Sequence, residues 1–406
     1  MSGLTHKDGY NRAMLSAELN DTLTRVGPGT RMGNLLRRYW YPVAALADFE
    51  QRWTRRVRLL GEDLVLFKDR TGRFGLLEEQ CPHRRASLYY GMPTEHGIRC
   101  PYHGWHLDAA GRCVDQPNEE KPEALKGKVL TTSYPVESMG GLIWAYLGPR
   151  PAPILPRFDG FVAENAIRIC GRTLLPANWL QIMENSVDPI HTEWLHGHHY
   201  QFLKEQEGVE LAISRHHVKV AFDEFEYGII KRRLLEGQSE DSDDWRVGHP
   251  LIFPNMLSVG NGDQHSRSYN FQIRVPVDDT NTLNFWYVAY VPPAGAKVLQ
   301  HLLERTPAYE VPYKDEQGEF IVDFVEGEDM MAWVTQGAIA DRTRESLGTT
   351  DSGLVVFRRM LEREMEKVER GKHHFSDGFA SRIRRSHVRY SQVGEEIIAV
   401  FESGRS

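Results

Sequence analysis

The sequence predicts an α+β protein of two parts, an all-β domain at about 45–150 and a larger mixed domain at 151–406. Three observations carry that prediction. Between Val57 and Tyr146 the chain divides into short β-prone runs separated by turn residues. The stretch Gly148-Pro149-Arg150-Pro151-Ala152-Pro153 suits neither a helix nor a central strand and marks a boundary. Beyond it, helical periodicity and strand-like runs both occur.

In the first part Val57–Leu60, Leu64–Lys68 and Phe74–Leu77 read as strands, with Asp69-Arg70-Thr71-Gly72 as a hairpin turn. Gly140-Gly141 precedes a further strand, Leu142–Leu147. In the second part Asn178 to about Leu195 reads as a helix. Ala212–Ala221, Tyr227–Leu234, Tyr269–Val275 and Asn284–Val291 read as strands, and the acidic stretch Ser239–Asp244 as a loop. Leu354, Phe357, Leu361, Met365 and Val368 recur at helical spacing, so a helix is expected from Leu354 to Arg370, with Gly371 as its stop. The Glu, Arg and Lys residues between them are expected on a solvated face.

Composition excludes several classes. The chain has 406 residues, 41% hydrophobic and 26% charged, as a soluble globular protein does. A net charge of -7 gives no basic footprint for nucleic acid. No apolar run approaches the ~20 residues that span a bilayer. Nor does the opening MSGLTHKDGYNRAML carry an apolar secretory core, so a cytoplasmic location is expected. Four cysteines are too few for a disulfide scaffold of this length, which raises the question of metal binding.

Cys81-Pro-His83 is followed, after sixteen residues, by Cys100-Pro-Tyr-His103-Gly-Trp105. Two Cys/His pairs suit a [2Fe–2S] cluster in which thiolates hold one iron and imidazoles the other. Neutral imidazoles in place of two thiolates raise its reduction potential, so such a cluster can take an electron from a reductase and pass it on. Zinc also binds such ligands, although its structural sites favour C-x₂₋₄-C pairs. Two unrelated Cys–His coincidences are the third reading. Cys113 and Cys170 are expected to be ordinary reduced thiols.

A second constellation lies at Glu184, Asp188, His191 and His196. At ~100° per residue the first three share one face of a regular helix, whereas His196 falls ~140° round from His191. The two imidazoles can share a metal only if the helix widens or ends between them. A π-type bulge would do this, and Pro189 adds a reason for irregularity. Two histidines and a carboxylate on one side of an iron leave its other positions open to oxygen and substrate. A surface or capping histidine pair is the bland alternative. His198 and His199 are expected in a loop. Lys231, Arg232 and Arg233 lie on a strand and are expected mainly on its solvated side, although an anionic substrate would need a cation of this kind.

Taken together, these motifs resemble the Rieske non-haem iron oxygenase family over nearly the whole chain. Respiratory Rieske proteins carry an extra disulfide-forming cysteine in each loop; here those positions are Ala86 and Tyr102. The resemblance is nearest to the phthalate-dioxygenase-like branch, which lacks a β subunit. It rests also on Leu23-Thr-Arg-Val-Gly-Pro-Gly29, Met32 to Trp40, Val57 to Asp63, and Asp341 to Gly353.

The resemblance implies a Rieske domain of β strands and a helix-grip-like catalytic domain, an antiparallel sheet flanked by helices with 1–44 packed onto it. It implies that Cys81, His83, Cys100 and His103 hold the cluster. His191 and His196 would hold a mononuclear Fe(II). Asp188 would bridge His191 to His103 of a neighbouring subunit. In the family the third iron ligand is an Asp on a later helix with Gln seven residues on, which selects Asp329 and Gln336 over Asp323 and Asp341. NAD(P)H-derived electrons would arrive through a reductase, with or without a separate ferredoxin, in a homotrimer or a stack of two trimers. The implied reaction is O₂-dependent oxidation of an aromatic acid. O-demethylation of a lignin-derived methoxylated substrate is preferred over ring dihydroxylation, and the other class is a Rieske electron-transfer protein without catalysis.

Overall fold

The structure is a computed structural model describing residues 15–121, 128–211, 215–260, 267–371, 386–389 and 400–403. The opening residues read above for a targeting signal lie almost wholly outside these. Among the described residues no helix is long and apolar enough to cross a membrane.

The N-terminal part contains three small sheets. Strands β1 (Trp40–Ala45), β10 (Val136–Met139) and β11 (Leu142–Tyr146) form one, in the order β1-β11-β10. Strands β2 (Thr54–Leu59), β3 (Glu62–Lys68), β4 (Phe74–Glu78) and β9 (Ser133–Tyr134) form the second. Strands β5 (Met92–Thr94), β6 (Gly97–Arg99), β7 (His106–Leu107) and β8 (Cys113–Asp115) form the third, beside the predicted cluster ligands. The hairpin at Asp69 is present. Its carboxylate accepts from the amides of Thr71 and Arg73, and Gly72 takes the left-handed conformation at φ +89.

Strand β3 shows why this part holds together. Its side chains alternate between two cores. Leu64 and Leu66 enter the large core shared with the rest of the chain, and Val65 and Phe67 enter a small one around Cys81 and Cys100. β1 pairs with β11 from Trp40 to Ala45, so the strand before residue 45 goes with the N-terminal sheets.

The second part is built on an eight-stranded sheet. Its strands are β12 (Ile167–Leu175), β13 (His217–Phe225), β14 (Gly228–Leu235), β15 (His249–Ile252), β16 (Met256–Gly260), β17 (Arg267–Pro276), β18 (Thr282–Val291) and β19 (Ala308–Glu310). They are ordered β13-β14-β15-β16-β17-β18-β12-β19. All neighbours are antiparallel except β12 and β19, which run parallel, so the sheet is mixed. The strand expected at Ala212–Ala221 begins at His217, and 212–214 lie outside the described residues.

Five helices matter for the site: α1 (Ala17–Thr24), α2 (Arg31–Leu36), α3 (Trp179–Val187), α4 (Tyr200–Gln206) and α5 (Val325–Thr335). A sixth, α6 (Ser352–Glu369), backs them. Ile182 of α3 and Met330 and Trp333 of α5 pack on Leu175 and Trp286 of the sheet. α1 and α2 pack on α6, and α1 also on α3. Asn178, which caps α3, donates to the carbonyls of Thr24 and Asp279.

The helix expected from Asn178 to Leu195 is interrupted. Asp188 precedes a proline and takes an extended conformation at ψ 124, which ends α3 at Val187. α6 and the left-handed Gly371 fit the expected helix and stop. Its charged face is not wholly solvated, however: Arg358 and Glu364 are buried.

The two parts are docked by fixed bonds. The amides of Leu60 and Gly61, in the β2–β3 turn, donate to the carbonyls of Pro276 and Val277 at 2.9 and 2.8 Å. Arg172 of β12 grips both oxygens of Asp48 at 2.6 and 3.0 Å. Planar two-point pairing of this kind is specific as well as strong.

Candidate functional site

Cys81 follows β4 and Cys100 follows β6, and the two loops repeat one design. The Cys81 amide donates to Ala86 O at 2.8 Å, and that of Cys100 to Trp105 O at 2.8 Å. In each loop the amide four residues on returns to the cysteine carbonyl, Arg85 to Cys81 and Gly104 to Cys100. Both returning residues are left-handed, at φ 62 and 74. At Gly104 a Cβ would also come to 3.0 Å from Pro117, so glycine suits that position twice over.

These closed loops bury the thiols and bring the imidazoles together. Cys81 and Cys100 are 1% and 2% exposed, while His83 and His103 are half-buried. The two imidazole rings lie 4.6 Å apart between centroids. Trp105 stacks on His83 at 4.4 Å with the planes 2° apart. Burial pushes the Cys81 thiol up to about 11, with its neighbour Cys100 adding to the effect. A thiolate here therefore needs compensating positive charge, which a bound iron supplies. Two adjacent thiols and two adjacent imidazoles at one end of a β domain fit a cluster of the mixed Cys/His type. Tyr90, Met92 and Tyr102 are exposed on neighbouring turns. Cys113 and Cys170 are buried and free.

The second site forms where α3 stops. Asp188 turns its carboxylate onto the next turn. Oδ1 accepts from the Ile190 amide at 2.8 Å, and Oδ2 from the His191 amide at 3.1 Å. Oδ2 also lies 3.2 Å from His191 Nδ1. Burial works against the ionised carboxyl, but bonds from His191 and the two amides outweigh it and hold Asp188 below the usual carboxylate range.

After the short turn His191–Glu193 the chain widens into a π-helix over Trp194–His199. That widening allows two histidines five apart to face one point. Asp329 arrives from α5. Its Oδ1 lies 3.3 Å from His196 Nε2 and 3.8 Å from His191 Nε2, and the ligand atoms of all three residues lie within 4.8 Å of one another. Asn185 of α3 steadies that oxygen from 3.3 Å. Burial disfavours a charged His196, yet Asp329 and Glu328 outweigh it and raise the imidazole to about 9. The site attracts positive charge, and its two imidazoles and carboxylate fit a ferrous ion.

Other expected residues sit elsewhere. Asp323 and Asp341, the competing carboxylates, are exposed and outside this group. Asp341 accepts from the Thr343 amide and hydroxyl instead. Glu184 does not share a face with Asp188 and His191, because the helix ends between them. It is buried against Arg342 at 2.6 Å and Arg358 at 2.7 Å. His198 and His199 are not in a loop: both belong to the π-helix, and His199 pairs with Glu328.

Lys231, expected at a solvated strand, is buried, and its Nζ donates to the Asp188 carbonyl at 3.3 Å. Of its neighbours, Arg232 pairs with Asp223 on the other face, while Arg233, on the same side as Lys231, reaches Asp244 and the Thr192 hydroxyl. Burial takes Lys231 down to about 8. Arg274 of β17 is fully buried, and among the described residues its side chain bonds to Gln272. Both cations feel the Asp329 carboxylate, and neither has a carboxylate within bonding distance among the described residues. Sequence reasoning missed Arg274, Glu328 and the buried Glu193, which ties this segment to β13 through His216 and His217. Adjacent positions on a helix point ~100° apart, so a second inward carboxylate beside Asp329 leaves no periodic signal.

Comparison with known proteins gives consistent results. A family model described as "Rieske [2Fe-2S] domain" matches residues 39–135, and one described as "LigXa C-terminal domain like" matches 315–393. The chain is 44% identical to the 5,5'-dehydrodivanillate O-demethylase oxygenase subunit of Sphingobium sp. over 88% of this chain and 82% of that protein. It is 32% identical to the phthalate 4,5-dioxygenase oxygenase subunit of Pseudomonas putida, over 86% of this chain and 85% of the relative. Among solved structures, NdmA of Pseudomonas putida CBB5 superposes with a TM-score of 0.62 at 20% identity, over 93% of this chain and 99% of that one. The terminal oxygenase of carbazole 1,9a-dioxygenase from Novosphingobium sp. KA1 gives 0.60 at 19%, over 87% and 99%. At those identities the two superpositions speak for the fold alone.

Proposed function

The chain belongs to the Rieske non-haem iron oxygenases as an oxygenase subunit, and from that premise we propose that it demethylates a lignin-derived, methoxylated aromatic acid. The observation that carries the reading is the 44% identity to an O-demethylase subunit over 88% of this chain and 82% of that protein. As a member of this family it works with a [2Fe–2S] cluster, a mononuclear iron and electrons from partner proteins.

In this reading Cys81 and Cys100 hold one iron of the cluster, His83 and His103 the other, and His191, His196 and Asp329 hold the mononuclear iron. Bound there, the mononuclear iron supplies dioxygen activation with electrons drawn through the cluster. The chain's own contribution is orientation. Asp188 holds His191 by Nδ1 and leaves Nε2 directed at Asp329. Its carboxylate is 24% exposed, which supports a second contact from a neighbouring copy. The half-buried His103 with its exposed Tyr102 is the natural partner for that contact, in a ring of three subunits or a stack of two rings. We divide the chain into a cluster domain ending near residue 150 and a catalytic domain beyond it. A cytoplasmic location belongs to the same reading, supported by the unpaired thiols of Cys113 and Cys170.

An acidic substrate is favoured by Lys231 and Arg274, two buried cations that have no carboxylate partner among the described residues and sit in the field of Asp329. The reaction balances as follows. One atom of O₂ enters a methoxy C–H bond, the other leaves as water, and two electrons and two protons are consumed. The resulting hemiacetal breaks its C–O bond to give a phenol and formaldehyde. Ring dihydroxylation is the second reading, favoured by the 32% relative that is a phthalate dioxygenase subunit. Oxygen uptake with a panel of methoxylated and unmethoxylated aromatic acids, with formaldehyde assayed in parallel, separates the two. Formaldehyde in step with oxygen is expected; turnover without it rules out demethylation.

A further inference from the structure

Glu328 occupies an unusual position. Its side chain is 0% exposed, yet each of its oxygens meets an imidazole. Oε2 lies 2.9 Å from His196 Nδ1, and Oε1 lies 2.9 Å from His199 Nδ1. Among the described residues no other side chain bonds to it. A carboxylate sealed from water is costly unless its lone pairs are met, and here two ring N–H groups meet them.

We propose that Glu328 is a positioning residue of the metal centre, holding His196 through Nδ1 and itself held by His199. The inference rests on the reading that His191, His196 and Asp329 bind the mononuclear iron. An imidazole that donates from Nδ1 presents the lone pair of Nε2. For His196 that nitrogen lies 3.3 Å from Asp329 Oδ1, where the metal belongs. Each of the two iron-binding imidazoles thus has its own carboxylate, Asp188 for His191 and Glu328 for His196. The two carboxylates differ in setting: Asp188 is 24% exposed and Glu328 is enclosed. The enclosed one fixes ring orientation, and His199 supplies the second donor that makes its burial tolerable.

The π-helix is what allows this. It turns both His196 and His199 toward α5, which carries Glu328 and Asp329 side by side. Two consecutive acidic residues of one helix then act at different depths, one on the metal and one on a ligand of the metal.

The test uses full-length protein with its cluster intact and reads ferrous-ion affinity by competition with a chelator, together with the rhombicity of the ferric EPR signal. Glu328→Gln retains one acceptor oxygen but replaces the other with an amide donor, so one histidine loses its partner. Ferrous affinity is expected to fall by about 10–100-fold, with an altered EPR signal and unchanged cluster absorbance. His199→Asn restores a donor near the Nδ1 position and is expected to bind iron within about threefold of wild type, whereas His199→Leu, which leaves Oε1 unmet, binds more weakly. Wild-type affinity and EPR signal in Glu328→Gln overturn the proposal. If that variant does not fold, equal iron affinity in His199→Asn and His199→Leu overturns it. Should wild-type protein bind no iron beyond its cluster, it is the reading of the site that fails.

Discussion

One oxygen of Asp188, Oδ2, faces both the main-chain amide and the ring Nδ1 of His191, at 3.1 and 3.2 Å. A single carboxylate therefore sets where that histidine begins and how its ring is turned. It does so at the point where Pro189 has already ended α3, so the orientation does not depend on a continuous helix.

Asp188→Asn is expected to leave both metal sites loaded and to slow electron delivery to the mononuclear iron about 100-fold. The amide keeps one acceptor for the local turn but loses the charge that faces His191 and is proposed to bridge to the neighbouring His103. The measurement is reoxidation of the reduced cluster by O₂ in the presence of substrate, followed in stopped flow. Loss of the cluster absorbance in the resting variant would contradict the role assigned to Asp188.

Glu184 predicts a stability effect with a defined sign. Burial opposes its charge, but Arg342 and Arg358 outweigh burial and hold the carboxyl below its ordinary range. A depressed folded value means that the stabilisation is complete above the unfolded carboxyl value of ~4.3 and is lost as pH falls through the folded value. Glu184→Gln leaves the buried Arg342 without a carboxylate, while Arg358 keeps Glu345, and is expected to cost about 3 kcal/mol at pH 7. In urea unfolding followed by tryptophan fluorescence, the gap between wild type and variant should narrow in acid. Coincident curves at pH 7 would show that the triad contributes no net stability.

Lys231→Met tests the acidity of the substrate. A hydrogen bond to a charged group is worth about 1.5–3 kcal/mol, so KM for a carboxylated substrate is expected to rise about 10–100-fold. The corresponding methyl ester should show little change. An equal rise for acid and ester would mean that Lys231 acts through Asp188, whose carbonyl it touches, and not on the substrate.

Much of this was legible in the sequence because metal ligands come in short, spaced sets. Cys81 to His103 lie on two loops of one design, and local loop geometry converts their spacing directly into a site. The five-residue gap from His191 to His196 calls for a helix that widens or ends between them, and a π-helix is present. Glu184 was misplaced because helix-face arithmetic was carried through Pro189, where the helix ends. Arg358 and Glu364 read as solvated because a charged residue at a helical position carries no mark of the partner that lets it be buried. Arg358 finds Glu184 and Glu345, residues 174 and 13 positions away. Lys231 had the same ambiguity: strand alternation gives two faces but not which of them the helices will cover.

The large core runs without a break from Leu23 to Met365 and takes side chains from both parts of the chain. With Asp48 clasped by Arg172 and the β2–β3 turn bonded to Pro276 and Val277, the seam between the parts is itself interior. The cluster end is consequently no swinging head on a tether. Its attitude toward its own catalytic half is set when the chain folds. The same continuity makes either half, cut free near residue 150, a fragment with an apolar wound prone to aggregation.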